Sequence, residues 1–231
     1  MNKQELWNQE YQRKGLPTSR MKANSSSHVE EFIRFLVSRG TCNGNIIDLG
    51  CGYGSDARGF AQQGFFVYAC DISDTALSVA QQKAKEDGLI GKIKFSLTDI
   101  SLPWEYPDDL FDAAFDGTTF INLITENEIN NYFEELKRTL KNQAYGQIVT
   151  PILPDEFYQK LYDEQRSNIV VCPSGIIQRT YTEEQIINLL QEHFVIQYIT
   201  LIQKKNRMYG YDYSRCLIRV IFQNKKAPFG R

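Results

Sequence analysis

Three short stretches of this chain carry side chains whose types and spacing suit a ligand that bears a nucleoside. Gly50-Cys51-Gly52-Tyr53-Gly54 directly follows the apolar run Ile46-Ile47-Asp48-Leu49. Glycines at alternate positions let the backbone turn tightly and approach a ligand with no Cβ in the way. A helix starting just beyond them offers free N–H groups to an anion. Asp71 closes the next apolar run, where an acid can take both hydroxyls of a ribose through hydrogen bonds that favour its charged form. Asp99 follows a third run, Ile93 to Leu97, and has a plain loop-capping alternative. Asp48, inside its own strand, either braces the glycine turn or touches the ligand.

These positions imply the elements that hold them. Val29, Phe32, Ile33 and Leu36 share one face of a helix over 28–38, with Ser27 and Glu30 as a capping box and Gly40 as its stop. The chain then alternates: strand 46–49, helix 55–63, strand 66–70, helix 75–85, strand 93–97, a Pro-containing loop 99–110, strand 111–115, helix 126–140, strand 147–152. Such alternation predicts a parallel sheet with helices on both faces. After Pro154 come a Tyr-rich helix over 155–165, an irregular piece through Gly175 and a helix over 183–193. Two last apolar runs, 194–202 and 216–222, read as an antiparallel pair closing the sheet edge around a loop at 204–213. The prediction is a doubly wound α/β fold of seven strands, mostly parallel with an antiparallel edge strand. A single domain over 1–231 is expected, with 1–40 as lid and first helix and 153–180 as a cap insertion.

Composition narrows the partners. Lys and Arg total 26 against 28 Asp and Glu, a net charge of −2 that lacks the electrostatic footprint of a polyanion binder. Nucleic acid is therefore a poor partner, and no run is long enough to span a membrane. Five cysteines form no CxxC pair, which fits a reducing compartment, and the polar start has no apolar signal core, so a cytoplasmic protein is expected. With only His28 and His193, neither at ligand spacing, no metal site is expected. A monomer or homodimer is anticipated. The unusual entries are 13 Tyr and 14 Phe. Trp7, Tyr11, Tyr158, Tyr162 and Tyr209 to Tyr213 fall outside the alternating core and suggest an aromatic lid over a small, fairly apolar acceptor.

The dinucleotide fingerprint G-x-G-x-x-G requires a glycine where Ser55 stands. Instead, Ile47-Asp48-Leu49-Gly50-Cys51-Gly52-Tyr53-Gly54 resembles the first motif of the class I S-adenosylmethionine-dependent methyltransferases, which have a Rossmann-like sheet. The resemblance continues through Asp71-Ile72, Thr98-Asp99-Ile100, Phe111-Asp112-Ala113-Ala114-Phe115 and Arg179-Thr180-Tyr181-Thr182. It implies that Gly50, Cys51, Gly52 and Gly54 pass the methionine part of S-adenosylmethionine, that Asp71 with Ile72 holds the ribose, and that Asp99 with Ile100 faces the adenine. Asp116 and Gly117 would line the methyl-donor centre. The Trp7…Tyr11 opening is similar to the small-molecule branch, of thiopurine and tellurite-resistance type. Phe120-Ile121-Asn122-Leu123 stands where many members carry a histidine, which leaves Asp116, His28 and Tyr11 as candidate bases. Rival readings are the same chemistry on a protein or nucleic acid, a nicotinamide-dependent oxidoreductase, and a non-catalytic scaffold. An open, flat cleft edged by Lys204, Lys205 and Arg207 would favour the macromolecular acceptor.

Overall fold

β1 (Gly44–Leu49) sends Ile47 and Leu49 into one hydrophobic cluster and Ile46 into another on the opposite face. That is the period-two consequence of a pleated strand buried on both sides. The computed structural model describes residues 2–226. Its main sheet also contains β2 (Phe65–Asp71), β3 (Ile93–Leu97), β4 (Phe111–Gly117), β5 (Leu140–Pro151), β8 (Val195–Met208) and β9 (Tyr211–Gln223). The spatial order is β3-β2-β1-β4-β5-β9-β8. The first five strands in that order pair in parallel, while β9 runs antiparallel to both β5 and β8. The seven-stranded, mostly parallel architecture with an antiparallel pair at one edge is therefore as expected. Strand order reverses between β1 and β4, the place where open α/β sheets bind ligands.

Helices cover both faces. α2 (Ser27–Ser38), α3 (Ser55–Gln62) and α4 (Asp74–Glu86) bury Phe32, Phe60 and Leu77 against one face. α5 (Glu126–Thr139), α6 (Glu156–Gln165) and α7 (Glu183–His193) bury Phe133, Phe157 and Leu190 against the other. Full burial of such a side chain contributes roughly 1.5–3 kcal/mol, so these two layers carry the stability. α1 (Lys3–Arg13) buries only Glu10 and Tyr11 and is held largely by polar contacts, among them the Lys3–Glu128 ion pair and Asn8 Nδ2 donating to Asp74 at 2.9 Å.

Several local expectations change. α2 starts one residue early, and its N-cap Ser26 makes no side-chain cap; the Ser26 N–H and hydroxyl donate instead to Asp56 at 2.7 and 3.2 Å. This cross-link between the starts of α2 and α3 replaces the predicted Ser27/Glu30 box. The boxes at Thr125/Glu128 and Thr182/Gln185 form as read. The predicted loop at 204–213 is the far end of a long hairpin, turned by Tyr209 (φ 48°) and Gly210 (φ 88°) alone. Two consecutive positive φ values match the twist of flanking strands. Mostly polar residues hid this extension, because it has little buried face to produce alternation. Within 153–180 the irregular piece holds a small hairpin, β6 (Ile169–Val171) with β7 (Ile177–Arg179).

Candidate active site

The glycine turn is shaped by what crosses it. Gly50 (φ 69°) has no room for a Cβ, which would collide with the Thr119 hydroxyl. That hydroxyl donates to the Leu49 carbonyl at 2.9 Å and so ties the end of β4 to the end of β1. Gly52 (φ 54°) donates its N–H to Asp71 Oδ2 at 2.8 Å, and a Cβ there would lie 2.8 Å from the Tyr11 hydroxyl. Both positions therefore require glycine on conformational and steric grounds.

Above this turn lies a first cavity of about 170 Å³. Gly50, Cys51, Gly52, Asp71 and Ile72 line it from the turn and the end of β2; Asp99, Ile100 and Gly117 line it from the ends of β3 and β4. Asp71 is buried, and its Oδ1 accepts from Ser73 N–H at 2.8 Å while Oδ2 also accepts from the Tyr11 hydroxyl at 3.3 Å. Burial raises this carboxyl and the three donated hydrogen bonds oppose the rise. Asp99 does cap its loop, its Oδ1 accepting from Ser101 N–H and hydroxyl at 3.0 and 2.7 Å. Its Oδ2 has no partner among the described residues, which leaves an acceptor for a ligand amine.

Three residues expected in contact with the ligand lie behind the wall. Asp48 shares the Ile46 face of β1, toward the start of α3; burial and the nearby Asp56, Asp116 and Asp71 charges push its carboxyl up. Gly54 directs its missing Cβ at Ala80 of α4, so it serves helix packing. Asp116, only 1% exposed, shares the Ala114 face of β4 toward α5. Its Oδ1 accepts from Thr119 and Phe120 N–H at 2.6 and 3.3 Å and its Oδ2 from the Tyr132 hydroxyl at 2.9 Å. Burial pushes it up to about 6. Asp116 thus shapes the turn after β4 and does not reach the cavity as a base.

The other two candidate bases separate. Tyr11 lines the first cavity, but burial and Asp71 hold its phenol well above the ordinary range, so it stays protonated. His28 lies against a second cavity, of about 330 Å³, that shares Thr18, Lys22, Asp56, Gly117 and Thr118 with the first. Its Nδ1 is buried and has no hydrogen-bond partner. Burial, then the charges of Lys204, Arg219 and Lys22, lower the imidazole to about 4. Thr118 stands in the shared wall at φ 84°, with its hydroxyl also buried and unpartnered. A β-branched residue in that region stores strain on the order of 1–3 kcal/mol. Nothing in the sequence marked Thr118, since its role depends on a backbone angle.

The aromatic lid is smaller than expected. Trp7, Tyr11 and Tyr53 form it, with ring centroids 6.0 and 5.0 Å apart along the chain of contacts. Tyr209 and Tyr213 pack on Phe157 and brace the long hairpin against α6, while Tyr162 and Tyr211 are exposed. Tyr158 reaches the second cavity and donates to Gln178 at 2.8 Å. α1 from one side and Ile176 and Ile177 from the other flank the first cavity, and of Lys204, Lys205 and Arg207 only Lys204 lines either of these two cavities. Among the described residues no helix is long and apolar enough to cross a membrane.

A family model for a methyltransferase domain matches residues 46–143, the span from β1 into β5. Methyltransferase phqN from Penicillium fellutanum is 29% identical over 147 residues, covering 62% of this chain and 43% of that protein. The 2-heptyl-1-hydroxyquinolin-4(1H)-one methyltransferase of Mycobacteroides abscessus is 32% identical over 91 residues, 39% of either chain. The chain thus spans about two-fifths of the length of these curated relatives. The crystal structure of a SAM-dependent methyltransferase from Methanosarcina mazei superimposes with a TM-score of 0.69 at 23% identity, over 80% of this chain and 94% of that one, a likeness of fold.

Proposed function

We propose that the chain, whose residues 46–143 match a methyltransferase-domain model, is a class I S-adenosylmethionine-dependent methyltransferase that binds S-adenosylmethionine in the first cavity and methylates a small molecule in the second. The observation that carries this is the crossing of Gly52 N–H and Asp71 at the strand-order switch, with the unpartnered Asp99 Oδ2 in the same cavity. The residues fit the cofactor. Asp71 accepts from ribose hydroxyls once the Tyr11 hydroxyl, at 3.3 Å a long contact, gives way to one of them. Asp99 Oδ2 accepts from the adenine amine between the apolar walls Ile72 and Ile100. Asp56 and Asp71 place carboxylates in the cavity wall beside the turn, which favours a cationic sulfonium.

When bound, the cofactor supplies a methyl group whose bonding pair stays on sulfur as the acceptor's lone pair forms the new bond and any acceptor proton departs. The chain's part is placement: holding the reacting atoms about 3–3.5 Å apart and in line supplies on the order of 7–11 kcal/mol. A small acceptor is supported by the modest volumes of the two cavities, about 170 and 330 Å³, and by the relative named for a heptyl-hydroxyquinolone substrate. The test is calorimetric titration of S-adenosylmethionine into wild type and Asp99→Ala. Micromolar binding that weakens about tenfold in the variant is expected. A wild-type protein that gives no heat signal with S-adenosylmethionine overturns the proposal.

A further inference from the structure

The second cavity has a charge that the chain as a whole does not. Lys22, Lys204 and Arg215 line it against one carboxylate, Asp56, in a protein whose net charge is −2. Asp56 is already engaged by the N–H and hydroxyl of Ser26. Lys22 and Lys204 have no ion-pair partner among the described residues. Arg215 uses Nε on buried Asp155 at 2.6 Å, and its two Nη atoms have no hydrogen-bond partner among the described residues. α2 opens its N-terminus on the same space through Ser26, Ser27 and His28, and the positive end of a helix adds to the attraction for an anion. Two buried polar atoms, His28 Nδ1 and Thr118 Oγ1, face no partner within the protein. Each such orphan is destabilising unless a ligand satisfies it. The rest of the wall is apolar: Leu16, Ile121, Val149, Met208 and Leu217.

We propose that this cavity takes a small amphipathic organic oxyanion, its charged end among Lys22, Lys204 and Arg215 and its apolar body on Leu16, Ile121, Val149, Met208 and Leu217. The inference rests on the methyl-transfer reading for its purpose, since it specifies the class of the acceptor, but not for its chemistry. Loss of surrounding water and the neighbouring Lys22 and Arg215 lower the Lys204 ammonium, so three cations crowd one space and a bound anion relieves their mutual repulsion. His28, uncharged near neutral pH, offers Nδ1 to a polar group of the ligand in either tautomer. A neutral acceptor of the same shape leaves the cations uncompensated and loses that gain.

The experiment uses matched probes on the full chain: octanoate against octanamide, and 4-hydroxybenzoate against 4-hydroxybenzamide, followed by ligand-observed NMR titration with S-adenosylhomocysteine present and absent. Each acid is expected to bind at least tenfold tighter than its amide. Lys204→Gln, with its melting temperature checked, is expected to weaken the acids about five- to tenfold and leave the amides unchanged; Lys22→Gln serves as the second variant. Equal binding of acid and amide, binding of neither acid, or indifference of the acids to both variants overturns the inference. S-adenosylmethionine titrated into the same sample separates the two readings. Binding of the cofactor without the acids removes only the oxyanion, and binding of the acids without the cofactor removes only the methyl transfer.

Discussion

The two cavities meet at Gly117 and Thr118 yet are made of different material. The first is built from backbone turns and carboxylates at the ends of β1, β2 and β3, with buried Asp48 and Asp116 behind it. The second is built from cationic, imidazole and apolar side chains carried by the turn before α2, the start of α2, β5 and the β8–β9 hairpin. In the first, Asp56, Asp71 and Asp99 are matched by Lys3, Arg20 and Lys22, while in the second Lys22, Lys204 and Arg215 face Asp56 alone, with a strained threonine in the partition. Under the proposed roles, the difference teaches that one fold would separate a cofactor task, resting on strand-end turns, from an acceptor task, resting on side chains.

Removing the charge that organises the first cavity is expected to have the largest effect. Asp71→Ala deletes the acceptor for Gly52 N–H, Ser73 N–H and the ribose, and S-adenosylmethionine affinity is expected to fall about 100-fold, roughly 3 kcal/mol, by calorimetry. Oxyanion binding to the second cavity should change less than about threefold; a parallel loss would mean that the two cavities are one. Gly52→Ala forces a side chain to φ 54° within 2.8 Å of the Tyr11 hydroxyl, and about a tenfold loss of cofactor affinity is expected.

Asp116 tests the wall itself. Its folded-state value of about 6 lies above the ordinary 3.8, so the folded protein holds this proton more tightly than the unfolded chain. Its contribution to stability is then full below about pH 4 and is lost as pH rises through 6. Asp116→Asn should remove that part of the pH dependence in thermal melts while S-adenosylmethionine affinity stays within about threefold. A larger loss of affinity would place Asp116 in the cavity after all. The smallest effect concerns His28, lowered from 6.5 to about 4. Here the unfolded chain binds the proton more readily, so stability is full above about 6.5 and declines as pH falls toward 4. NMR titration of the imidazole should show a midpoint near 4, and His28→Asn should flatten that decline; a midpoint near 6.5 would mean that His28 is solvated.

The contrast also explains what could be read in advance. The central strands β1 and β4 were legible as apolar runs buried on both faces, the edge strand β3 by Ile93 and Phe95 alternating with polar residues, and Gly52, Asp71 and Asp99 by their places at or just after the ends of such strands. Asp116 followed one too, but alternation along β4 turned it toward Tyr132. Spacing could not reveal the face. The second cavity gathers Leu16, His28, Thr118, Val149, Lys204 and Arg215 from places far apart in the chain, so no local pattern announced it. The tyrosines of 209–213 were read as a lid because the hairpin carrying them was taken for a loop.

That hairpin has a consequence of its own. Lys204, Asn206, Met208 and Arg215 ride on its far half and line the second cavity, while no residue of β8 or β9 lines the first. If the second cavity holds the acceptor, as proposed, part of acceptor choice sits on a cassette. Substitutions at Lys204 and Asn206 would then alter the cargo and leave the strand ends that line the first cavity untouched, whereas the two-residue turn is tied to the chain just after α1 through Tyr209 and Gly15.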